Sequence, residues 1–299
     1  MSGEADFIAS LRTLATHPAA RSLADDCAVL EIGSETLILT HDMMVEGVHW
    51  LPSQDPADVA WKLVATNLSD LAAKGAEPVG VLLGYTLSED DLRFVDGLRE
   101  VLEAFSVPLL GGDTVGGGTG RTHGLTAIGR ATCHPVPSRG GAQLGDAVWV
   151  TGSLGAAMLG FDALRCGLHD PENARAFARP VPLLAKGRAL APLVSAMMDV
   201  SDGLLLDASR LSAASGVTLA LERAAIPLAE GVTQAGRADE ALRWGDDYQL
   251  LFTLPSGIPP PVKASRIGEV REAGAVALLL DGSPPDPVLP LGYLHRSPA

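Results

Sequence analysis

The chain has 299 residues, which is enough for one large domain or two of ordinary size. Hydrophobic residues make up 47% and charged residues 19%, so the composition is that of a globular protein and excludes a disordered one. The formal net charge of −14 argues against a general binder of nucleic acid or of anionic membranes. An excess of carboxylates is compatible with a site for divalent cations, although an acidic soluble surface explains the charge equally well.

The N-terminus, the apolar runs and the cysteine spacing do not indicate a secreted or membrane protein. The N-terminus starts acidic and has no continuous apolar core, so it is not typical of a secretory signal. No apolar run approaches the ~18–20 residues of a transmembrane helix. Cys27, Cys133 and Cys166 lie far apart without zinc or CxxC spacing, and we expect buried free thiols. We therefore expect a soluble cytoplasmic protein that binds neither nucleic acid nor membranes.

Strand-like and helix-like segments alternate in the first half of the chain. Short apolar runs bounded by turn residues predict strands at 26–32, 36–45 and 78–87. Apolar residues at helical spacing predict helices at 55–76, after a favourable Asp-Pro start, and at 88–105, after a Ser-x-x-Asp capping box. Strand-like runs at 107–110 and 124–132 flank a glycine-rich loop at 111–120.

The proline- and glycine-rich segment 133–146 is the best candidate for a domain boundary. It predicts an N-terminal domain of residues 1–137 and a C-terminal domain of residues 138–299. Further strands are predicted at 147–152, 217–222, 248–254 and 275–281, and further helices at 154–167, 182–196 and 203–216. Because strands and helices mix in both halves, we expect two α/β or α+β domains.

The common nucleotide-binding and hydrolase motifs are absent from the sequence. The glycine-rich segment has no Gly-Lys-Ser/Thr, and Arg121 stands where a GxGxxG motif would need its third glycine. There is no HExxH, GxSxG or kinase-type HRD or DFG. Nucleotide chemistry would therefore need another scaffold.

Aspartates recur at the edges of apolar runs in five short segments. They are Asp25 and Asp26, Asp42, Asp70, Asp113, and Asp199 with Asp202. A single such aspartate is more often a turn former or a helix cap. Several that converge would repel one another unless divalent cations removed the penalty, and oxygen-only ligands favour Mg²⁺. Mg²⁺ that bridges phosphate oxygens is the usual device of ATP chemistry, and the glycines after Asp113 would let backbone N–H groups approach a phosphate.

Taken together, the segments resemble the thiamine-monophosphate kinase family, which belongs to the superfamily of aminoimidazole ribonucleotide synthetase. The family pattern runs roughly as G-D-D-A/C-A, S/T-T-D-x-x-V-x-G-x-H-F, N-L-S-D-L-A-A-M-G-A, G-G-D-T, R-S-G-A-K-x-G-D, D-x-S-D-G-L and G-G-E-D-Y-E-L. This chain has ADDCA, THDMMVEGVHW, NLSDLAAKGA, GGDT, SRGGAQLGD, DVSDGL and WGDDYQL in the same order. Each piece alone is weak, but seven in order cover nearly the whole chain.

The resemblance implies a fold, a reaction and a set of site residues. The implied enzyme transfers the γ-phosphoryl group of ATP to thiamine monophosphate, as a homodimer whose N-terminal α/β domains pair their sheets and whose C-terminal α+β domains close the cleft. The implied Mg²⁺ ligands are Asp26, Thr40, Asp42, Asp70, Asp113, Asp199 and Asp202, of which Asp42, Asp70 and Asp113 act most directly in catalysis. The implied ATP contacts are Gly112, Asp113, Arg139 and Ser201. The implied substrate contacts are His49, Asp246 and Tyr293.

Several residues depart from the family pattern, and other functions stay open. His41 replaces the hydroxyl residue before Asp42, Asp246 is one methylene shorter than the family's glutamate, Trp244 replaces a glycine and Ala24 replaces another. One alternative is another ATP-dependent enzyme of the superfamily. A selenophosphate synthetase would carry a reactive Cys in an N-terminal glycine-rich segment, and a hydrogenase-maturation dehydratase would end in Cys. A different alternative is a non-catalytic protein that binds Mg-nucleotide.

Overall fold

The computed structural model describes residues 4–118, 120–167 and 171–295. Its first sheet has five strands in the order β1-β2-β5-β3-β4. The strands are β1 (Ala28–Ile32), β2 (Glu35–Val45), β3 (Ala76–Thr86), β4 (Leu109–Val115) and β5 (Thr122–Ala131). Only the β3–β4 pair is parallel, and β4 forms one edge of the sheet.

A second sheet has six strands in the order β11-β8-β10-β6-β9-β7. Its strands are β6 (Ala147–Thr151), β7 (Ala196–Asp199), β8 (Thr218–Leu221), β9 (Leu250–Leu254), β10 (Ala264–Arg271) and β11 (Leu278–Leu280). All its pairs are antiparallel except β8 with β11. The two sheets and their helices form the mixed α/β and α+β architecture that the sequence predicts.

Nine α-helices lie in the described residues. They are α1 (Glu4–Arg12), α2 (Pro56–Ala73), α3 (Asp91–Phe105), α4 (Ala156–Arg165), α5 (Pro171–Ala178), α6 (Leu184–Leu190), α7 (Leu204–Ser215), α8 (Glu230–Gln234) and α9 (Ala238–Trp244). None of the helices in these ranges is long and apolar enough to cross a membrane.

The helix α2 occupies the centre of the molecule. It begins where the Asp55 carboxylate accepts the N–H of Ala57 at 2.9 Å, with Pro56 in the first turn. Its buried residues join one apolar core that also contains Ile38 of the first sheet and Phe252 of the second. Because α2 is enclosed by both layers, polar side chains on it need partners inside the protein.

Several elements differ from the sequence-based predictions. Residues 111–115 of the glycine-rich segment predicted as a loop belong to β4, because pairing with β3 supplies order that glycine propensity does not. The helix predicted at 182–196 is shorter, and its last predicted residue starts strand β7. Cys27 is buried as expected, but Cys166 is exposed, so burial was wrong for that thiol. The domain boundary between 137 and 138 lies between β5 and β6 and stays a prediction.

Candidate active site

A cavity of about 450 Å³ lies between the two layers. One end is lined by Asp42, Asp70, Asp199 and Asp202, and the other by lysine, histidine and aromatic side chains. A concave site with convergent polar groups at one end and apolar walls at the other is typical of a small-molecule site.

Three aspartates from distant parts of the chain meet at the acidic end. Asp26 precedes β1, Asp70 lies near the end of α2 and Asp199 is the last residue of β7. Each offers a carboxylate oxygen within 4.8 Å of the oxygens of the other two. This donor set consists of oxygen atoms alone, which suits a hard divalent cation such as Mg²⁺ better than zinc or copper.

The strand β2 and the helix α2 position further oxygen atoms around this cluster. Because side chains alternate along a strand, Thr40 and Asp42 point to the α2 side and His41 points to the opposite face. Thr40 Oγ1 donates a hydrogen bond to Asp70 Oδ2, and the backbone N–H of Asp42 donates to Asn67 Oδ1 at 3.1 Å. His41 is exposed, with Nδ1 2.9 Å from Thr126 Oγ1, and it does not line the cavity.

Asp42, Asp70 and Asp199 form no ion pair with a lysine or arginine of the described residues. Burial, together with the neighbouring carboxylates, raises the pKa of Asp42 to about 6 and that of Asp199 to about 8. Burial and the charges of Asp42 and Asp199 raise the pKa of Asp70 well above its usual range. Ser69 Oγ donates to Asp199 at 2.6 Å, but a hydroxyl carries no charge. Such a group of acids holds protons near neutral pH unless a cation replaces them.

Asp26 differs from these three because two cations contact it. Lys74 Nζ lies 2.6 Å from Oδ2, and Arg139 Nε lies 2.7 Å from Oδ1. Burial opposes ionisation, yet the Lys74 and Arg139 charges lower the pKa of Asp26 to about 2. Asp26 is therefore ionised at every physiological pH.

Ser201 and Asp202 line the cavity in the turn that precedes α7. The Asp207 carboxylate accepts the backbone N–H of Ser201 at 3.1 Å and of Asp202 at 3.0 Å. Arg210 Nη1 lies 2.5 Å from Asp202 Oδ2 and 3.0 Å from Asp207 Oδ1. The turn that carries both predicted site residues is thus fixed by a buried acid and an arginine.

The other end of the cavity is built around Lys62. Its side chain is only 1% exposed, and Nζ donates to His49 O at 3.1 Å and to Asp246 Oδ2 at 3.0 Å. Tyr248 Oη donates to the other oxygen of Asp246 at 2.8 Å, and the Lys62 ammonium lies 3.6 Å from the centre of the Phe177 ring. His49 Nδ1 accepts the N–H of Val45 at 2.9 Å, so the ring is held against β2.

Aromatic side chains close this end of the cavity. Phe161, Phe177 and Trp244 form one wall, with Phe161 5.2 Å from Phe177 and 5.3 Å from Trp244 between ring centres. Tyr293 also lines the cavity and is 42% exposed, and its backbone N–H donates to Asp202 O at 2.9 Å. A flat cationic ring would find several aromatic side chains in this cavity.

Gly112 and Asp113 do not line the cavity. Both lie on the exposed edge strand β4, and Asp113 Oδ1 accepts only the N–H of Thr114 at 2.9 Å among its hydrogen bonds within the described residues. Two strands separate β4 from β2 in the sheet, so Asp113 and Asp42 belong to strands about 14 Å apart. A Cβ on Gly112 would stand 1.9 Å from Leu83 O, so only glycine fits at that position.

Comparisons with known proteins give this arrangement a family. The sequence matches the AIR synthase related protein family, with its N-terminal domain at residues 24–131 and its C-terminal domain at residues 143–258. Thiamine-monophosphate kinase of Escherichia coli K12 is 37% identical over 251 residues, which cover 78% of this chain and 76% of the relative. The chain belongs to the thiamine-monophosphate kinase family. The Caulobacter vibrioides enzyme is 35% identical over 98% of this chain and 90% of its own length.

Solved structures of the family have the same fold. AaThiL complexed with AMPPCP and TMP superposes with a TM-score of 0.89 and 29% identity over 98% of this chain and 97% of that chain. Thiamine monophosphate kinase from Aquifex aeolicus gives a TM-score of 0.79 and 30% identity over 88% of this chain and 93% of that one. Hydrogenase maturation protein HypE in complex with ATP, at 22% identity and a TM-score of 0.68, shows a shared fold alone.

Two lysines of the site were missed by the sequence analysis. Lys62 and Lys74 are both buried in the structure, whereas a lysine on a helix is ordinarily expected in solvent. A signal for Lys74 was present, because it follows Asp70 by four positions and therefore shares its helix face. For Lys62 the partner Asp246 is 184 residues away, and no local sequence pattern predicts this contact.

Proposed function

We propose that this protein transfers the γ-phosphoryl group of ATP to thiamine monophosphate, giving thiamine diphosphate and ADP. The observation that carries the proposal is the cavity, which joins an acidic cluster to an aromatic pocket with a buried lysine. A phosphate-transfer centre and a site for a flat cationic ring would thus adjoin. The likeness to AaThiL with AMPPCP and TMP over nearly the whole chain supports the same conclusion.

For the metal, we propose Mg²⁺ held by Asp26, Thr40, Asp42, Asp70, Asp113, Asp199 and Asp202. The residues fit because their donors are oxygens and because Asp42, Asp70 and Asp199 carry raised pKa values and form no ion pair within the described part of the chain. When bound, Mg²⁺ would neutralise the phosphate oxygens during transfer. Asp42 and Asp70, which line the cavity, are together with Asp113 the carboxylates that we propose act most directly in catalysis.

For ATP, we propose contacts from Arg139, Ser201, Gly112 and Asp113. Arg139 already holds Asp26 and lies at the acidic end, where its guanidinium would meet a phosphate. Ser201 lines the cavity beside Asp202. Gly112 and Asp113 would have to reach the site from another copy of the chain.

For the substrate, we propose contacts from His49, Asp246 and Tyr293. Tyr293 lines the cavity, and we propose that its ring stacks on the cationic thiazolium. His49 and the Lys62–Asp246 pair line the same cavity as the acidic residues, and we propose that they contact the phosphate of the substrate. The shorter Asp246 is compatible with this role because Lys62 and Tyr248 fix both its oxygens.

The proposed transfer needs no strong general base. The terminal oxygen of a phosphate monoester is already anionic near neutral pH, since its second pKa is about 6. The protein residues would align this oxygen with the γ-phosphorus of ATP and exclude water, and Arg139 would stabilise the transferred charge. Lys62 would hold the substrate phosphate as a point charge.

We also propose a homodimer in which the first sheets of two chains pair. The edge strand β4 exposes the apolar side chains of Leu109, Leu110 and Val115. An edge strand with exposed apolar residues tends to pair with a strand of another chain, so proteins usually protect such an edge. Asp113 lies on the same strand, outside the cavity of its own chain. Pairing through this strand would bring Asp113 and Gly112 of one chain to the site of its partner.

The test is an ADP-release assay with Mg-ATP and thiamine monophosphate, with thiamine as the control acceptor. ADP release and thiamine diphosphate formation with the monophosphate alone are the expected result. Turnover of thiamine but not of its monophosphate would overturn the assignment. Tight ATP binding without ADP release would favour the non-catalytic alternative.

A further inference from the structure

Lys74 brings a positive charge of the protein itself into the acidic cluster. It caps the C-terminus of α2, and Gly75, at φ +61°, turns the chain away immediately afterwards. The side chain is 0% exposed. Its Nζ lies 2.5 Å from Asp25 Oδ1, 2.6 Å from Asp26 Oδ2 and 3.4 Å from Met197 O, so all three N–H donors have acceptors.

The two carboxylates that bind Lys74 are held on their far sides as well. Arg21 Nη1 lies 2.5 Å from Asp25 Oδ2, and Arg139 Nε lies 2.7 Å from Asp26 Oδ1. The negative charges of Asp25 and Asp26 are therefore already balanced by Lys74, Arg21 and Arg139. Among the described residues, by contrast, no lysine or arginine forms an ion pair with Asp42, Asp70 or Asp199.

The contacts of the other acids differ. Thr40 Oγ1 donates to Asp70, and Ser69 Oγ donates to Asp199 at 2.6 Å, so these two carboxylates have hydroxyl partners and no ion pair within the described residues. Asp25 and Asp26 are thus paired with cations of the protein, and Asp70 and Asp199 are not.

We propose that the ammonium of Lys74 permanently occupies one cation position of the cluster, so that the site binds one divalent ion fewer than it would with a neutral residue there. The Lys74 ammonium and a bridging Mg²⁺ cannot be present together, because a Mg²⁺ that bridged Asp25 and Asp26 at about 2.0–2.1 Å would lie where the ammonium lies. A carboxylate oxygen of Asp26 nevertheless lies within 4.8 Å of oxygens of Asp70 and Asp199, so these three acids can still share an ion. This inference rests on the proposed function, since it refines the proposed Mg²⁺ cluster, and the family pattern has Met where this chain has Lys74.

The test counts bound Mn²⁺, used alone as the probe, by measuring free Mn²⁺ by electron paramagnetic resonance. We expect Lys74→Met to bind one more Mn²⁺ per chain than the wild type, and Lys74→Arg, which keeps the charge, to bind the wild-type number. Lys263→Met, at an exposed lysine, is the matched control and should leave the count unchanged. Equal counts for the wild type and Lys74→Met would overturn the inference.

A second measurement uses the wild type, in case Lys74→Met does not fold. Crystals grown with Mn²⁺ and AMPPCP would locate each ion by anomalous scattering. We expect Lys74 Nζ to remain within hydrogen-bond distance of Asp26 and no ion between Asp25 and Asp26. An ion at that place would overturn the inference even if the kinase assay succeeds. A wild type that binds no Mn²⁺ at all would overturn the metal cluster itself.

Discussion

The ammonium of Lys62 on α2 forms an ion pair with the carboxylate of Asp246, which follows α9, at 3.0 Å. This pair joins the N-terminal and C-terminal halves of the chain at the cavity, and its lysine is almost wholly enclosed. Removing one partner of such a pair leaves a buried charge without a counter-charge, whereas removing both partners leaves no unpaired charge.

We therefore expect Asp246→Asn to lower the free energy of unfolding by about 1–3 kcal/mol, because Lys62 loses its charged partner. It should also raise the KM for thiamine monophosphate, because the position of the ammonium is no longer fixed. Thermal melting and steady-state kinetics measure the two effects. Asp239→Asn is the control, because that carboxylate is 61% exposed and pairs with Arg223 at the surface, where about 0–1 kcal/mol is expected.

The double variant Lys62→Met with Asp246→Asn sharpens this prediction. If the loss in Asp246→Asn comes from the unpaired lysine charge, the double variant should be more stable than the sum of the two single changes predicts. Strict additivity of the three unfolding free energies would show that the two residues do not act as a pair.

The elements that carry Asp42 and Asp70 were predictable because their signals are local. A short apolar run predicted β2 and helical spacing predicted α2, and the structure brings the two aspartates to one cavity. Elements whose conformation depends on tertiary pairing were less predictable. The segment "AMMD" of β7 is rich in helix-favouring residues, and it is a strand because it pairs with β9.

The internal cations were not predicted, because their burial depends on tertiary partners. Lys74 meets Asp26 across 48 residues of chain, and Lys62 meets Asp246 across 184. The position of Asp113 outside the cavity is likewise set by strand order, which the sequence did not predict. Local patterns thus identified the acids, and only the fold shows which of them are already neutralised.

Replacing Asp70 with Asn should separate catalysis from stability. We expect turnover to fall by about 10²–10³-fold or more, because a proposed metal ligand is lost. Without Mg²⁺ the variant should melt at the wild-type temperature or above it, since a neutral amide is not repelled by Asp42 and Asp199. The ADP-release rate and melting in EDTA test both parts. Asp96→Asn, at an exposed carboxylate on α3, is the control, and near-normal turnover of Asp70→Asn would remove the metal-cluster argument.

The protection that Mg²⁺ gives against unfolding should increase with pH. Asp42 and Asp199 have folded-state pKa values of about 6 and about 8, above the ordinary 3.8. Their contribution to stability is complete below about pH 4 and is lost as the pH rises through 6 and 8. Added Mg²⁺ would replace the protons and relieve this loss.

Melting temperatures at pH 6, 7 and 8, with EDTA and with Mg²⁺, would measure this effect. The buried Asp207 and Asp247 have raised pKa values of about 7 and about 8 and lower the stability in the same range, but they do so under both conditions. The difference between the two conditions therefore reports the cluster. Asp26 does not contribute to the trend, because its pKa of about 2 lies below the range. A difference that stays constant or shrinks from pH 6 to pH 8 would contradict the prediction.

The position of Asp113 makes a prediction about two chains. If Asp113 serves the site of the partner, a dimer of one Asp42→Asn chain and one Asp113→Asn chain contains one site with both changes and one intact site. Each homodimer of these variants should be inactive, and the mixed dimer, isolated by two different affinity tags, should have about half the wild-type turnover. A mixed dimer of Asp42→Asn and Asp70→Asn is the control and should stay inactive, because both residues line the cavity of their own chain. An inactive mixed dimer with Asp113→Asn would mean that Asp113 does not act across the interface.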